Sequence, residues 1–276
     1  MFAAMVIFAA GAQPALSRTQ PAYRYMIGAG FVSAIAKDPA ASAALDGTHP
    51  FINIQTIKSA PGQAAAFPAR PPDVPASWQP VYVYRWASEV QMEADMPRVP
   101  SWITVCMYDN EDAHQTPMTP DAEIADPASY YPKAAQVCHK AGKLFIPSSG
   151  IRQFRHQNQS QNDAVYGSAT QWDGYSMQTQ QGESDLSRFR TNVDSFQRHV
   201  LAVNPNAKIF IVGVGDFAGG QLQSPAAIEA AIKSLPPGMA FWMNFGPHAG
   251  RGCKDCPIPA RPDLLVQVIK DLATKS

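Results

Sequence analysis

The chain has little charge and no excess of either sign. Of its 276 residues, 22 are Lys or Arg and 22 are Asp or Glu, so the formal net charge is zero. Nucleic acids and anionic membrane surfaces are bound through clusters of basic side chains, and the sequence has no run of Lys and Arg. It therefore predicts neither a nucleic-acid partner nor a membrane partner.

Cysteine is also scarce. Four cysteines are too few to build a disulfide scaffold. Cys106 and Cys138 lie in apolar segments, which predicts that they are small buried side chains. Cys253 and Cys256 are separated by two residues in a loop rich in Gly and Pro, and we expect a local disulfide there if the chain is exported. With only His248 nearby, this pair does not complete a zinc site, so no cofactor is predicted.

Long hydrophobic runs are absent, because no segment reaches the roughly 18 apolar residues that span a bilayer. The longest such run, residues 2–12, has the length of a signal-peptide core, although no basic residue precedes it. We expect residues 1–17 to be a signal peptide and the protein to be secreted or periplasmic. A buried first element of the fold is the alternative. Residues 18–276 are expected to form one domain, taken as monomeric.

What the sequence does contain is a series of short apolar runs bounded by turn residues. The eight runs begin at Tyr23, Pro50, Val81, Trp102, Lys143, Gly174, Lys208 and Met239. They are continuous rather than alternating, which is typical of strands covered on both faces. Helical patterns lie between several of them, for example in residues 126–142 and 186–201.

Strands alternating with helices predict a (β/α)8 barrel of the TIM type, in a single domain. A doubly wound open sheet is the alternative architecture. Residues 213–220 are rich in glycine, but their spacing is not that of a phosphate-binding fingerprint. The barrel is therefore the preferred interpretation.

Polar residues gather where the predicted strands end. Asp109 and Glu111 end the fourth strand and share one face, because side chains alternate along a strand. The other candidates at strand ends are Gln55, Arg85, Trp86, Asn110, Gln178, Gln180, Asp216, Trp242 and Asn244. Barrel enzymes hold their active sites at this end of the strands. Amides, carboxylates and indoles suit a neutral, polyhydroxylated ligand, so the sequence predicts a carbohydrate substrate, with His248 as a further contact.

Two neighbouring carboxylates allow acid–base catalysis. A glycosidic oxygen leaves only when it is protonated, so one carboxyl group must retain its proton near neutral pH. A nearby carboxylate raises the pKa of that group. We expect Glu111 to be the proton donor, Asp109 to stay ionised beside it, and Asp216 to be the partner carboxylate on another strand.

The segment Asp109-Asn110-Glu111 resembles the end of the strand-four signature in family 18 chitinase-like glycoside hydrolases. The resemblance implies that Glu111 is the proton donor and that Asp109 orients the substrate's N-acetyl group. Trp242 is similar to the tryptophan on the pocket floor of those enzymes. The further aspartates of the full signature are missing from this chain.

The pair Asn110-Glu111 also resembles the Asn-Glu pair of the large clan of retaining barrel glycosidases. That resemblance implies Glu111 as acid/base and a nucleophile at the end of strand seven, where this chain has Asp216. The two resemblances use opposite faces of strand four. Both predict a secreted glycoside hydrolase. The alternatives are a non-catalytic carbohydrate-binding barrel and a metal-dependent hydrolase that uses Asp109, Glu111 and His248.

Overall fold

A closed barrel of eight parallel strands forms the centre of the molecule. The computed structural model describes residues 24–54, 66–110, 119–150, 159–179, 184–218, 221–236, 238–246 and 259–274. The barrel strands are β1 (Arg24–Gly28), β2 (Phe51–Asn53), β3 (Val81–Trp86), β4 (Val105–Asp109), β5 (Leu144–Gly150), β6 (Gly174–Gln178), β7 (Ile209–Gly215) and β8 (Ala240–Asn244). They are adjacent in chain order, and β8 pairs with β1. The predicted TIM barrel is confirmed.

Helices follow most strands and surround the barrel. They are α1 (Val32–Lys37), α2 (Pro39–Ala44), α3 (Glu89–Asp95), α4 (Asp121–Ala125), α5 (Pro127–Lys140), α6 (Gln159–Gly167), α7 (Leu186–Val203), α8 (Pro225–Lys233) and α9 (Pro262–Thr274). Helix α5 begins as its sequence predicts, with the Asp126 side chain accepting a hydrogen bond from the Ser129 amide. Gly142 follows its end at φ 70°, the left-handed conformation that glycine adopts freely.

The connection between β2 and β3 departs from this pattern. In its described part, residues 66–80, the regular structure is one 3-10 turn, Ala76–Trp78. The proline-rich loop itself covers the outer face of β3. Phe67 packs on Tyr84 with ring centroids 4.9 Å apart, and Arg70 Nε donates to the Tyr82 hydroxyl at 2.9 Å.

The apolar core has two layers. The larger layer fills the space between the barrel and its helices. The smaller layer fills the barrel interior and consists of Met26, Phe51, Val83, Val105, Met107, Ile146, Ile211, Ala240 and Trp242. Because this inner layer closes the barrel at mid-height, a ligand can enter from the carboxyl-terminal opening only as far as these side chains. We call that opening the mouth.

Several sequence predictions lie outside the described residues. They concern residues 1–17, Gln55, Glu111, Gln180, His248, Cys253 and Cys256. Within the described part of the chain, Cys106 and Cys138 are buried free thiols, as predicted. No helix there is long and apolar enough to cross a membrane.

Candidate functional site

Asp109 lies at the centre of the mouth. Its side chain is fully buried at the end of β4, and its Oδ2 lies 2.8 Å from Arg85 Nη1. Gln178 Nε2, from β6, donates to Asp109 Oδ1 at 2.6 Å. We call Arg85, Asp109 and Gln178 the mouth network. A buried carboxylate is tolerated only when donors replace its lost hydration, and both of these contacts are donated to the carboxylate form.

Strand alternation places these three side chains inside the barrel. Asp109 follows Met107 by two residues, and Met107 belongs to the inner apolar layer. Arg85 likewise follows Val83 of that layer. Since residues two apart share a face, Arg85 and Asp109 stand one level above the apolar floor.

One sector of the mouth carries small side chains. Asp109 neighbours Ser148 on β5, which in turn neighbours Ser176 on β6, and the two hydroxyl oxygens lie 3.3 Å apart. On β7 the inward positions are Gly213 and Gly215, because they alternate with Ile211 of the inner layer. Small residues therefore occupy the inward positions of three consecutive strands beside the carboxylate.

Trp242 contributes the floor of the mouth, but its ring is not open to solvent. The Arg85 guanidinium carbon lies 5.2 Å from the Trp242 ring centroid, a cation–π contact. Trp242 is 8% exposed, whereas the Arg85 side chain is 19% exposed. A ligand entering the mouth therefore meets the guanidinium above the indole. Asn244, two residues further along β8, is half-buried at the rim and neighbours Gly215.

Two predicted contacts prove to lie on the outer face of the barrel. Trp86 follows Arg85 directly, so the two side chains point to opposite faces. Trp86 Nε1 donates to Asp95 Oδ2 at 3.2 Å, and its ring packs on Tyr84. The prediction that Trp86 lines the mouth is corrected accordingly.

Asn110 is also directed outward. It is fully buried, and its Nδ2 donates at 2.6 Å to the Glu123 carbonyl oxygen of α4. The resemblance to the retaining clan requires Asn110 to face the substrate, and this geometry is incompatible with it. The chitinase-like resemblance places Asp109 on the inward face of the strand, and it stays a prediction.

Asp216 is fully buried one residue after β7. By the alternation of that strand it falls on the same side as Val212 and Val214, which pack in the layer between barrel and helices. This position argues against Asp216 as the partner carboxylate of the mouth. Its backbone carbonyl accepts from the Gln223 amide at 2.8 Å, which closes a small hairpin after the strand.

The described residues contain no group of three or more His, Cys, Asp or Glu side chains that could bind one metal ion. The sequence hypothesis of a metal site named Glu111 and His248, which lie outside those residues. It stays a hypothesis that rests on the sequence alone.

Sequence reasoning missed a second buried carboxylate, Glu123, on α4. Glu123 accepts from Ser88 Oγ at 2.8 Å and from the Glu89 amide at 2.7 Å. A partial signal existed: Ser88 and Gln91 have the spacing of a helix-capping pair, and the Ser88 hydroxyl does accept from the Gln91 amide at 3.3 Å. Nothing in the sequence marks Glu123 itself.

Fold and site together define a TIM-barrel protein with a polar mouth. Among solved structures, the chain is similar to the HMG-CoA lyase of Bacillus subtilis, with a TM-score of 0.51 and 10% sequence identity. The match covers 94% of this chain and 95% of that one. At this identity the likeness is one of fold. No family model and no curated protein matches the sequence.

Proposed function

We propose that this barrel is an exported glycoside hydrolase that binds a neutral carbohydrate at its mouth. The observation that carries the proposal is the mouth network, in which one guanidinium, one carboxylate and one amide meet above an indole. The charges of Arg85 and Asp109 cancel, so the site offers hydrogen-bond donors and acceptors without net charge. Neutral hydroxyl groups are the ligands that such a surface suits.

In the proposed reaction Glu111 donates a proton to the glycosidic oxygen, and the bond from that oxygen to the anomeric carbon breaks. A water molecule then adds to the anomeric carbon, and its proton returns to the Glu111 carboxylate. Its role rests on its sequence position, two residues after the inward Asp109. Asp109 remains a carboxylate and stabilises the positive charge that develops at the anomeric carbon in the transition state. Arg85 and Gln178 hold that carboxylate in place, so its side chain does not have to reorient during the reaction.

The test is hydrolysis of a panel of chromogenic aryl glycosides and soluble oligosaccharides, followed by reducing-sugar release. Glu111→Gln is expected to abolish turnover and to keep ligand affinity, because the amide is isosteric with the acid but has no acidic proton to donate. Glu93→Gln, at an exposed position of α3, is the matched control and should leave turnover unchanged. An active Glu111→Gln enzyme would rule out the proposed acid.

A non-catalytic carbohydrate-binding barrel is the second candidate. Among the described residues, Asp109 is the one acidic side chain at the last inward position of a barrel strand. Arg85 and Gln178 already contact its carboxylate. Titration calorimetry separates the two functions. Binding of oligosaccharides by the wild-type protein with no turnover of any substrate in the panel would favour this candidate.

A metal-dependent hydrolase is distinguished by its response to chelation. Turnover that is lost in a chelator and restored by a divalent ion would support it, and turnover that is unaffected would support acid–base catalysis by carboxyl groups alone. The fold likeness to HMG-CoA lyase adds no activity to these candidates, because 10% identity does not extend beyond the fold.

A further inference from the structure

The second buried carboxylate, Glu123, lies directly behind the mouth on the outer face of β4. It is 1% exposed. Its Oε1 accepts from Ser88 Oγ, and its Oε2 accepts from the Glu89 amide and from the Tyr108 hydroxyl. An ion buried this deeply is stable only with donors on its oxygens, and here both oxygens have them.

The partners of Glu123 come from the elements that flank the mouth network. Ser88 and Glu89 begin α3, directly after β3, the strand that carries Arg85. Tyr108 precedes Asp109 on β4. The Glu123 carboxylate therefore ties the ends of two adjacent strands to α4. We call Glu123 with Ser88, Glu89 and Tyr108 the Glu123 clamp.

The backbone of Glu123 adds a further tie. Asn110 Nδ2 donates to its carbonyl oxygen at 2.6 Å. Tyr108 and Asn110 are the two neighbours of Asp109 along the chain, so both sides of Asp109 are attached to this one residue of α4.

The charged and polar groups of the Glu123 clamp make an unfavourable electrostatic contribution to folding. Burial raises the pKa of Glu89, and the Glu123 carboxylate raises it further. Burial and the same carboxylate raise the pKa of Tyr108 well above its usual range. Two acidic side chains and a phenol packed together oppose folding more than an apolar cluster of the same size. Because these groups lie around Asp109, we relate their unfavourable contribution to folding to the position of that residue.

We propose that Glu123 is a positioning residue for the carboxylate of Asp109, acting through Tyr108 and Asn110. This inference rests on the proposed function. Replacing the carboxylate by an amide puts an N–H group opposite the donors of the clamp, so at least one hydrogen bond is lost. The end of β4 then shifts relative to β3, and a displacement of the order of 1 Å lowers turnover by roughly 10²-fold.

The experiment compares Glu123→Gln with Asp173→Asn. Asp173 is the control carboxylate at the opposite end of the barrel, where its side chain is 32% exposed and its Oδ2 accepts from the Phe145 amide at 2.8 Å. Both variants are expected to unfold at lower temperature. Only Glu123→Gln should lower kcat, by about 10- to 100-fold, while KM stays within about twofold because the donors that contact the ligand remain.

Each outcome decides a separate claim. A kcat of Glu123→Gln equal to that of the wild-type protein, corrected for the folded fraction, overturns the positioning role alone. A wild-type protein with no glycosidase activity overturns the proposed function and this inference with it. If Glu123→Gln does not fold, Tyr108→Phe removes a single donor of the clamp and should lower kcat by about threefold; an unchanged kcat overturns the inference.

Discussion

The two ends of the barrel use polar side chains differently. At the amino-terminal end they bond to backbone groups: Arg24 donates to the His49 carbonyl, Lys143 Nζ donates to the Ile103 carbonyl, and Asp173 accepts from the Phe145 amide. At the carboxyl-terminal end the mouth network joins side chains to one another across the interior.

This difference separates structural from functional polarity. Backbone groups that are left over where strands begin must be paired wherever they are buried, so the amino-terminal contacts are explained by the fold alone. Arg85, Asp109 and Gln178 instead contact one another through their side chains. Replacing a buried ion pair by apolar side chains is often neutral for stability, so stability alone does not explain the Arg85–Asp109 pair.

The largest expected effect is on the mouth network. Asp109→Asn removes the charge that is proposed to support the transition state, and turnover should fall by roughly 10²-fold or more. Initial rates on the best aryl glycoside of the panel measure it. Retention of more than half of the wild-type rate would place the catalytic charge elsewhere.

Gln178→Leu tests whether the amide serves the ligand through Asp109. The variant keeps the side chain's approximate size and removes the hydrogen bond to Oδ1. Because this hydrogen bond orients the carboxylate proposed to contact the ligand, we expect oligosaccharide affinity to fall by about tenfold. Titration calorimetry gives this number, and an unchanged Kd would remove Gln178 from the site.

At the amino-terminal end, Asp173→Asn should affect stability only. We expect a loss of about 1 kcal/mol in the free energy of unfolding, measured by urea denaturation, because the carboxylate is partly exposed and both His139 and the Phe145 amide lose a charged partner. The kcat of the folded protein should not change. A lowered kcat would contradict the proposed division between the two ends.

The smallest effect concerns Glu89, behind the mouth. Its pKa in the folded protein is raised, first by burial and then by Glu123, so the native state binds the proton more tightly than the unfolded chain. Stability from this group is therefore present at low pH and is lost as the pH rises through the folded-state value. Glu89→Gln should be slightly more stable than the wild-type protein at pH 7.

This gain should vanish when the pH falls below the ordinary glutamate value of 4.5. Thermal unfolding at both pH values measures it. A variant that is equally destabilised at both would show that the Glu89 carboxylate makes a favourable contact instead of an unfavourable one.

The architecture was predictable because its signals are local. Apolar runs that are buried on both faces predict parallel strands, and Asp126 and Gly142 marked the ends of a helix by capping chemistry. The orientation of Asp109 followed from strand period once the inner layer was known. Only the structure supplied that layer.

The remaining features of the site depend on contacts between distant segments. Arg85 and Trp86 are both large, and both end β3. Trp86 faces outward because its ring packs on Phe67 and its Nε1 donates a hydrogen bond to Asp95. The cation–π contact that covers Trp242 joins β3 to β8 across the interior. The buried Glu123 has partners about 35 residues away in the chain. No local pattern encodes such pairings.

The most direct test of the mouth network is oligosaccharide binding by the double variant Arg85→Met/Asp109→Leu. Apolar side chains of similar volume should leave the protein folded, with a free energy of unfolding lower by about 1–3 kcal/mol because the Gln178 amide loses its Asp109 acceptor. We predict that titration calorimetry will detect no binding by this folded protein. Binding with the wild-type Kd would contradict the assignment of the mouth network as the carbohydrate site.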